Sequence, residues 1–225
     1  YSYSKSEHTQ FDPNRIIQLI GLALLGYYFS SLMNFAGLMY VSASLERLIL
    51  FIYPTLVVLF GLWMYKKKVT GMTWLSLGIT YLGIVLAVYS HLTLYGKSIL
   101  PGVLLIFGSA VTFALYMVWS ERIISYFGHK LFTSLVMVIS CLAVLLHYFL
   151  LNGFDRIFHL QNEVYYLGLA VALIATVIPS YLMTWGMSII GSGPTGIFST
   201  LGPIWTIWLA YVVLNEQIEL SQLLG

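Results

Sequence analysis

Charge is the scarcest thing in this sequence. Only 8% of its 225 residues are Asp, Glu, Lys or Arg, whereas 60% are hydrophobic, and the mean hydropathy is +0.90. A soluble domain carries roughly 25% charged residues, so this chain lacks the polar surface to meet water. It reads as a membrane protein. The net charge of +2 is too small to point to a nucleic-acid partner, and the basic residues are scattered except for Lys66, Lys67 and Lys68. Cysteine is reduced to Cys141, inside an apolar run. It can form no internal disulfide, has no partner for a metal site, and reads as a small core residue.

The chemistry of catalysis is missing as well. No paired acids lie within the apolar runs, no His/Cys/Asp/Glu group has metal spacing, and neither G-x-S-x-G nor a phosphate loop occurs. An intramembrane protease would need a buried nucleophile with its base, or two mid-span aspartates, and neither is written here. The expectation is a protein that is not an enzyme and needs no cofactor or metal. No signal peptide is visible, because the chain opens on the polar YSYSKSEHTQ. It has no initiator Met and stops at LSQLLG, where an apolar run is starting, so both ends are expected to be cut.

What is present is apolar length. A bilayer core of about 30 Å takes roughly 20 apolar residues in a helix. Seven segments qualify: about 16–40, 48–65, 72–90, 100–120, 131–151, 165–190 and 196–214. Tyr40, Tyr65, Trp74, Tyr89, Trp119, Tyr148 and Tyr165 gather near their ends, as the aromatic belt of membrane helices does. Lys5, Arg15, Lys66, Lys67, Lys68, Arg122 and Lys130 fall on the side that holds the N-terminus, against Arg47, Lys97 and Arg156 on the other. That excess predicts a cytoplasmic N-terminal side.

A repeat runs through these segments. A shift of 149 residues lays Pro54 on Pro203 and Gly37 on Gly186. Around these anchors MNFAGLMYVSAS lies over MTWGMSIIGSG in a slightly shifted register, and SLERLILFIYPTLVVLFG over GPTGIFSTLGPIWTIWLA. Each copy runs from a helix through a small-residue turn into a second helix with a proline. The two proline spans are second and seventh, an odd number of crossings apart, so the copies traverse the membrane in opposite senses. Inverted repeats of this kind build alternating-access transporters. A unit near 149 residues predicts a parent of ten spans, of which this chain would hold the third to the ninth and the threshold of the tenth.

Several residues could carry function. Proline removes a backbone donor, so Pro54 and Pro203 leave the carbonyls of Leu50 and Ser199 without their usual partner, and a kink is expected in mid-helix. In lipid such a carbonyl must find protein, a hydroxyl or water. Tyr53 precedes Pro54, Ser199 and Thr200 lie one turn before Pro203, and Pro179 predicts a third kink. Each proline is either a static packing kink or a hinge beside a pathway. Glu46 and Arg47, on neighbouring helical positions, are expected to point about 100° apart without facing each other. They are either an interfacial anchor at the outer end of the span, with Arg47 snorkelling, or an outer gate.

At this point the chain is identified as resembling a known family. SASLERLILFIYPTLVVLFGLWMYKKKVTGMTWLSLGITYLGIVLAVYS resembles the second half of an EamA domain of the drug/metabolite transporter superfamily, and GSGPTGIFSTLGPIWTIWLAYVVLNEQIELSQLLG resembles the same part of a second one. The resemblance implies an all-α polytopic carrier with inverted five-helix repeats, residues 1–92 ending the first and 98–225 forming the second. It implies a bacterial inner-membrane location and a central cavity for an amino acid or similar metabolite, usually exported. The helices that hold Asn34, Tyr116, Trp119, Tyr181 and Trp185 are those the family sets around its cavity. Each of these is either a packing residue or a substrate contact, and Asn34 is favoured because a mid-span amide needs a partner. His147 reads as interfacial. The first copy departs from the family, with Tyr65 and three lysines where an acid usually closes the proline helix, while the second keeps Glu216. A nucleotide-sugar or sugar-phosphate carrier would want a mid-span cation, which is absent. A non-transporting scaffold and a homodimer stay open.

Overall fold

The computed structural model describes residues 12–41, 43–66, 71, 74–75, 78–79, 99–153 and 160–199. Among them all regular structure is helical. The helices are α1 (Pro13–Leu38), α2 (Ala43–Leu50), α3 (Tyr53–Tyr65), α4 (Leu100–Phe127), α5 (His129–Asn152), α6 (Asn162–Ile190) and α7 (Ser192–Ser199). Four of them, α1, α4, α5 and α6, are long and apolar enough to cross a membrane. At 26 residues α1 is the second shortest of the four and still spans about 39 Å at about 1.5 Å per residue, beyond the roughly 30 Å hydrocarbon core. The expected spans 72–90 and 196–214 lie largely outside the described residues.

The expected span 48–65 is not one kinked helix but two helices with a break between them. The cause is local. Pro54 has no N–H for the Leu50 carbonyl, and the chain tightens just before it, Ile52 N–H bonding back only to Ile49 O at 3.1 Å. Helix then resumes at Tyr53 with Pro54 in its first turn, where proline has no intrahelical donor to lose. Pro54 therefore starts a helix instead of bending one. Pro179 is accommodated differently. It follows a π-helical stretch, Val171–Val177, inside an otherwise continuous α6. A second π-helical stretch, Leu24–Phe29, interrupts α1. The wider turn loosens the regular carbonyl ladder, and Ala23 O, at its threshold, accepts a bond from Ser140 Oγ of α5 at 2.9 Å.

The core forms around α4, which touches every other described helix. Small residues let it in close. A Cβ on Gly102 would lie 2.9 Å from Gly37 O, and one on Gly37 would lie 2.5 Å from Ile106 Cγ1, so α1 and α4 cross almost backbone to backbone, the usual device for packing helices in lipid. One helical stretch beyond, Ser30 and Ser109 close a reciprocal clasp: Ser109 Oγ donates to Ser30 O at 2.8 Å, Ser30 Oγ to Ser109 O at 3.2 Å, and the two hydroxyls are 3.0 Å apart. Interhelical bonds of this sort are worth about 0.6–2 kcal/mol in membranes. Ser109→Ala is expected to lower the unfolding free energy by about 1 kcal/mol, and a cycle with Ser30→Ala in an SDS unfolding titration should show the two costs to be non-additive.

Candidate functional site

The middle of the bundle is built from rings and hydroxyls. Tyr116 of α4 is the largest side chain that is fully buried, at 0% exposure. Tyr27, from the π-helical stretch of α1, meets it edge-on with centroids 5.4 Å apart, Phe113 lies 5.8 Å away, and Phe132 of α5 stacks at 6.3 Å. Phe113 in turn takes Tyr53 of α3 edge-on at 5.3 Å. Aromatic pairs favour such offset and edge geometries. The Tyr27 hydroxyl has Ser180 of α6 and Tyr116 as polar neighbours, and that of Tyr53 has Ser199 of α7. Six helices thus send a side chain to one centre: α1, α3, α4, α5, α6 and α7.

Two polar atoms there, Tyr116 Oη and Ser120 Oγ one turn further along α4, face each other without reaching hydrogen-bond geometry with any described residue, and a third such buried atom, Asn34 Oδ1, lies further along α1, towards its crossing with Gly102 of α4. Leaving a buried polar atom unpaired costs about 1–3 kcal/mol, and native proteins concentrate such atoms where something else binds. In contrast, the hydroxyls around this centre that join helix to helix are fully engaged. Thr133 and Thr184 share a bond of 2.6 Å, Ser134 and Tyr181 one of 2.6 Å, and Tyr28 Oη lies 2.9 Å from His147 Nδ1. His147 is therefore tied to α1 and does not stand alone at the interface.

The sequence candidates divide accordingly. Asn34, Tyr53, Pro54, Tyr116 and Ser199 lie on the inward faces of their helices. Tyr181 is half-buried and committed to Ser134. Trp119 and Trp185 are 46% and 52% exposed on the outside of the described helices, and Pro179 is exposed too. Thr200 and Pro203 lie outside the described residues. Glu46 and Arg47 correct the expectation that they do not face each other. Arg47 Nε swings back to 3.7 Å from Glu46 Oε2, because the long guanidinium stem spans the angle between neighbouring positions. The pair is asymmetric, Glu46 being 5% exposed among Val41, Leu45 and Ile49 and Arg47 standing in the open.

Sequence reasoning missed Tyr27, Ser180, Phe132 and Glu121. For Tyr27 a signal existed in the run Gly26-Tyr27-Tyr28, a glycine beside bulky residues in mid-span. A hollow lies elsewhere. It is a half-open groove of about 290 Å³, lined only by aliphatic residues of α1 and α5 with Phe127, and it reaches none of the polar candidates. Among the described residues no group of His, Cys, Asp and Glu could hold a metal ion.

With four described helices long and apolar enough to cross a membrane around an aromatic, hydroxyl-bearing centre, the chain is a polytopic helical bundle. Comparison with known proteins gives the family. The sequence model of the EamA-like transporter family matches residues 3–89 and 100–225, and the chain belongs to that family. A curated relative, the uncharacterized transporter YcbK of Bacillus subtilis (strain 168), is 28% identical over 213 residues, which cover 91% of this chain and 67% of that protein. The chain is an integral membrane protein of a transporter family, its surroundings a lipid bilayer and its ligands small molecules.

Proposed function

We propose that this protein is a secondary transporter that moves a small metabolite, an amino acid or a molecule of similar size, by alternating access between two inverted repeats. Residues 1–92 end the first repeat and 98–225 form the second. Support for the repeat comes from the helix boundaries: the 149-residue shift carries Pro13 onto Asn162 and Ala43 onto Ser192, each the first residue of a matching helix. Both long helices also hold a π-helical stretch at overlapping shifted positions, 24–29 in α1 and 171–177 in α6. The charge pattern supports a cytoplasmic N-terminal side, and the family supports a bacterial inner-membrane location and export as the direction.

The observation that carries the reading is a set of buried polar atoms outside hydrogen-bond geometry, Tyr116 Oη, Ser120 Oγ and Asn34 Oδ1, inside a lipid-embedded bundle. Tyr53, Pro54 and Ser199 complete the pathway wall. The break at Pro54 is the hinge of the first half, and Glu46 with Arg47 is the outer gate. Substrate is recognised by hydroxyl, amide and aromatic groups and not by a strong central charge.

The test is flux. Proteoliposomes of the full-length protein, loaded with a labelled amino-acid pool, are expected to lose label faster than empty-protein controls. Asn34→Leu should lower that flux about three- to tenfold, the share of one neutral hydrogen bond. No flux with any metabolite pool, together with no effect of Pro54→Ala or Pro203→Ala on any pool, would rule the proposal out.

A further inference from the structure

One charged contact lies outside the central site, at the end of the bundle where α1 begins. Glu121, on the last turns of α4, reaches across to the joint between α6 and α7. Its Oε2 accepts the Ser192 backbone N–H at 3.1 Å and the Ser192 hydroxyl at 2.7 Å. A carboxylate on the first N–H of a helix gains from both the charge-assisted bond and the helix dipole. The joint is shaped to admit it. Gly191 has φ +85°, a conformation side chains rarely adopt, and it lies directly beside the Glu121 carboxylate, where an added Cβ would be 3.4 Å from Oε1. Two further clasps stand at the same end of α4: Arg122 lies over the Tyr65 ring of α3 at 4.3 Å, and Arg15 of α1 over the Tyr126 ring at 5.4 Å.

The geometry points to Glu121 as a latch that holds this end of the pathway closed, an inference that rests on the transporter reading above. The hold on Ser192 fixes the start of α7. One turn on, Thr195 Oγ1 donates back to Gly191 O at 2.7 Å, which stiffens that turn. At Gly196 the helix lies against the backbone of Pro54 and the side chain of Val57 of α3. A displacement of the α7 start therefore reaches the break at Pro54 through a single helical turn. When the carboxylate lets go, α7 and α3 are free to part beside Tyr53 and Ser199, and this end opens. Glu121 is a positioning residue: it touches no substrate and acts through α7.

Cysteine accessibility in the full-length protein, freed of other cysteines with Cys141→Ser in this chain, tests the latch without needing a substrate. Met187→Cys, buried one turn before the joint, reports on the latched end. Leu45→Cys, buried at the opposite end beside Ile99 and Ile106, reports on the other. In Glu121→Ala the reaction of Met187→Cys with a maleimide is expected to rise about tenfold, the population shift that follows loss of a charge-assisted hydrogen bond. The rate at Leu45→Cys should stay level or fall. Glu121→Gln keeps the shape and one acceptor and should give a smaller rise, and Ser192→Ala should shift the same reporter in the same direction. These two milder variants decide the matter if Glu121→Ala does not fold. An unchanged Met187→Cys rate across the variants overturns the latch, and so does a parallel rise at both reporters, which would mean general loosening. Flux is read separately, so a protein that opens at one end and moves nothing keeps the latch and loses the transporter reading.

Discussion

Gly26→Ala is expected to destabilise the bundle more than any other single-methyl change in the described helices. The reason is distance. A Cβ at Gly26 would lie 2.3 Å from Tyr116 Cγ, 2.5 Å from Cδ2 and 2.9 Å from Cβ. These are not the far end of a flexible chain but the root of a ring held on three sides by Tyr27, Phe113 and Phe132. To make room the ring would have to leave its rotamer or the whole of α4 would have to back away from the π-helical stretch of α1. Overpacking of this kind costs about 1–3 kcal/mol and occasionally more, and Gly26→Ala should fall at the upper end. The measurement is the midpoint of an SDS or thermal unfolding curve in detergent. Gly21→Ala on the same helix, where an added Cβ meets nothing within 4 Å, is the control and should gain slightly from the better helix propensity of alanine. A double variant, Gly26→Ala with Tyr116→Ala, should cost less than the sum of the two single changes, because the crowded Tyr116 Cγ and Cδ2 are then gone. Equal midpoints for Gly26→Ala and Gly21→Ala would contradict the packing described.

How much of this was readable without coordinates follows from which forces act locally. Long apolar runs declare themselves, because the bilayer demands them one residue at a time. The starts of α1, α4 and α5 were legible for that reason to within a few residues. Asn34 was legible as a candidate because a polar atom inside an apolar run is costly wherever the run folds, and Tyr116 only because its helix is one that the family resemblance sets around a cavity. The break at Pro54 was half legible. Proline removes a donor in any context, but whether the chain bends or stops depends on what packs beside it, and here α7 lies against the Pro54 backbone. The π-helical stretches left no mark in the sequence. Glu121 was overlooked for a related reason. At the end of its span, next to Arg122, it has the look of a solvated charge, and only the return of the chain 71 positions later brings Ser192 to it. Trp119 and Trp185 show the converse, in that an aromatic on a lining helix has every other direction open to it.

Two substitutions of Tyr116 separate its roles in packing and in recognition. Tyr116→Ala removes the ring that Tyr27, Phe113 and Phe132 rest on, and large-to-small changes at such buried aromatic positions cost about 3–5 kcal/mol. That variant is expected to unfold at markedly lower SDS or temperature and says nothing about substrate. Tyr116→Phe keeps the ring and takes away only the hydroxyl. Tyr116 Oη faces the hydroxyls of Tyr27 and Ser120 but stands in hydrogen-bond geometry with neither, so the fold loses no well-formed bond, and the desolvation penalty of a poorly paired group disappears. The stability of Tyr116→Phe is therefore expected to equal or exceed that of the parent by up to about 1 kcal/mol. Flux should move the other way. If the unpaired hydroxyl is held in reserve for the transported molecule, its removal strands a substrate group without a partner, and the rate should fall about three- to tenfold. The signature is the opposition of the two readouts, stability level or higher and transport lower. A Tyr116→Phe protein that loses stability would show that the hydroxyl already serves the fold. One that keeps full flux would remove Tyr116 from the substrate path and leave Asn34 and Ser120 as the polar groups to pursue.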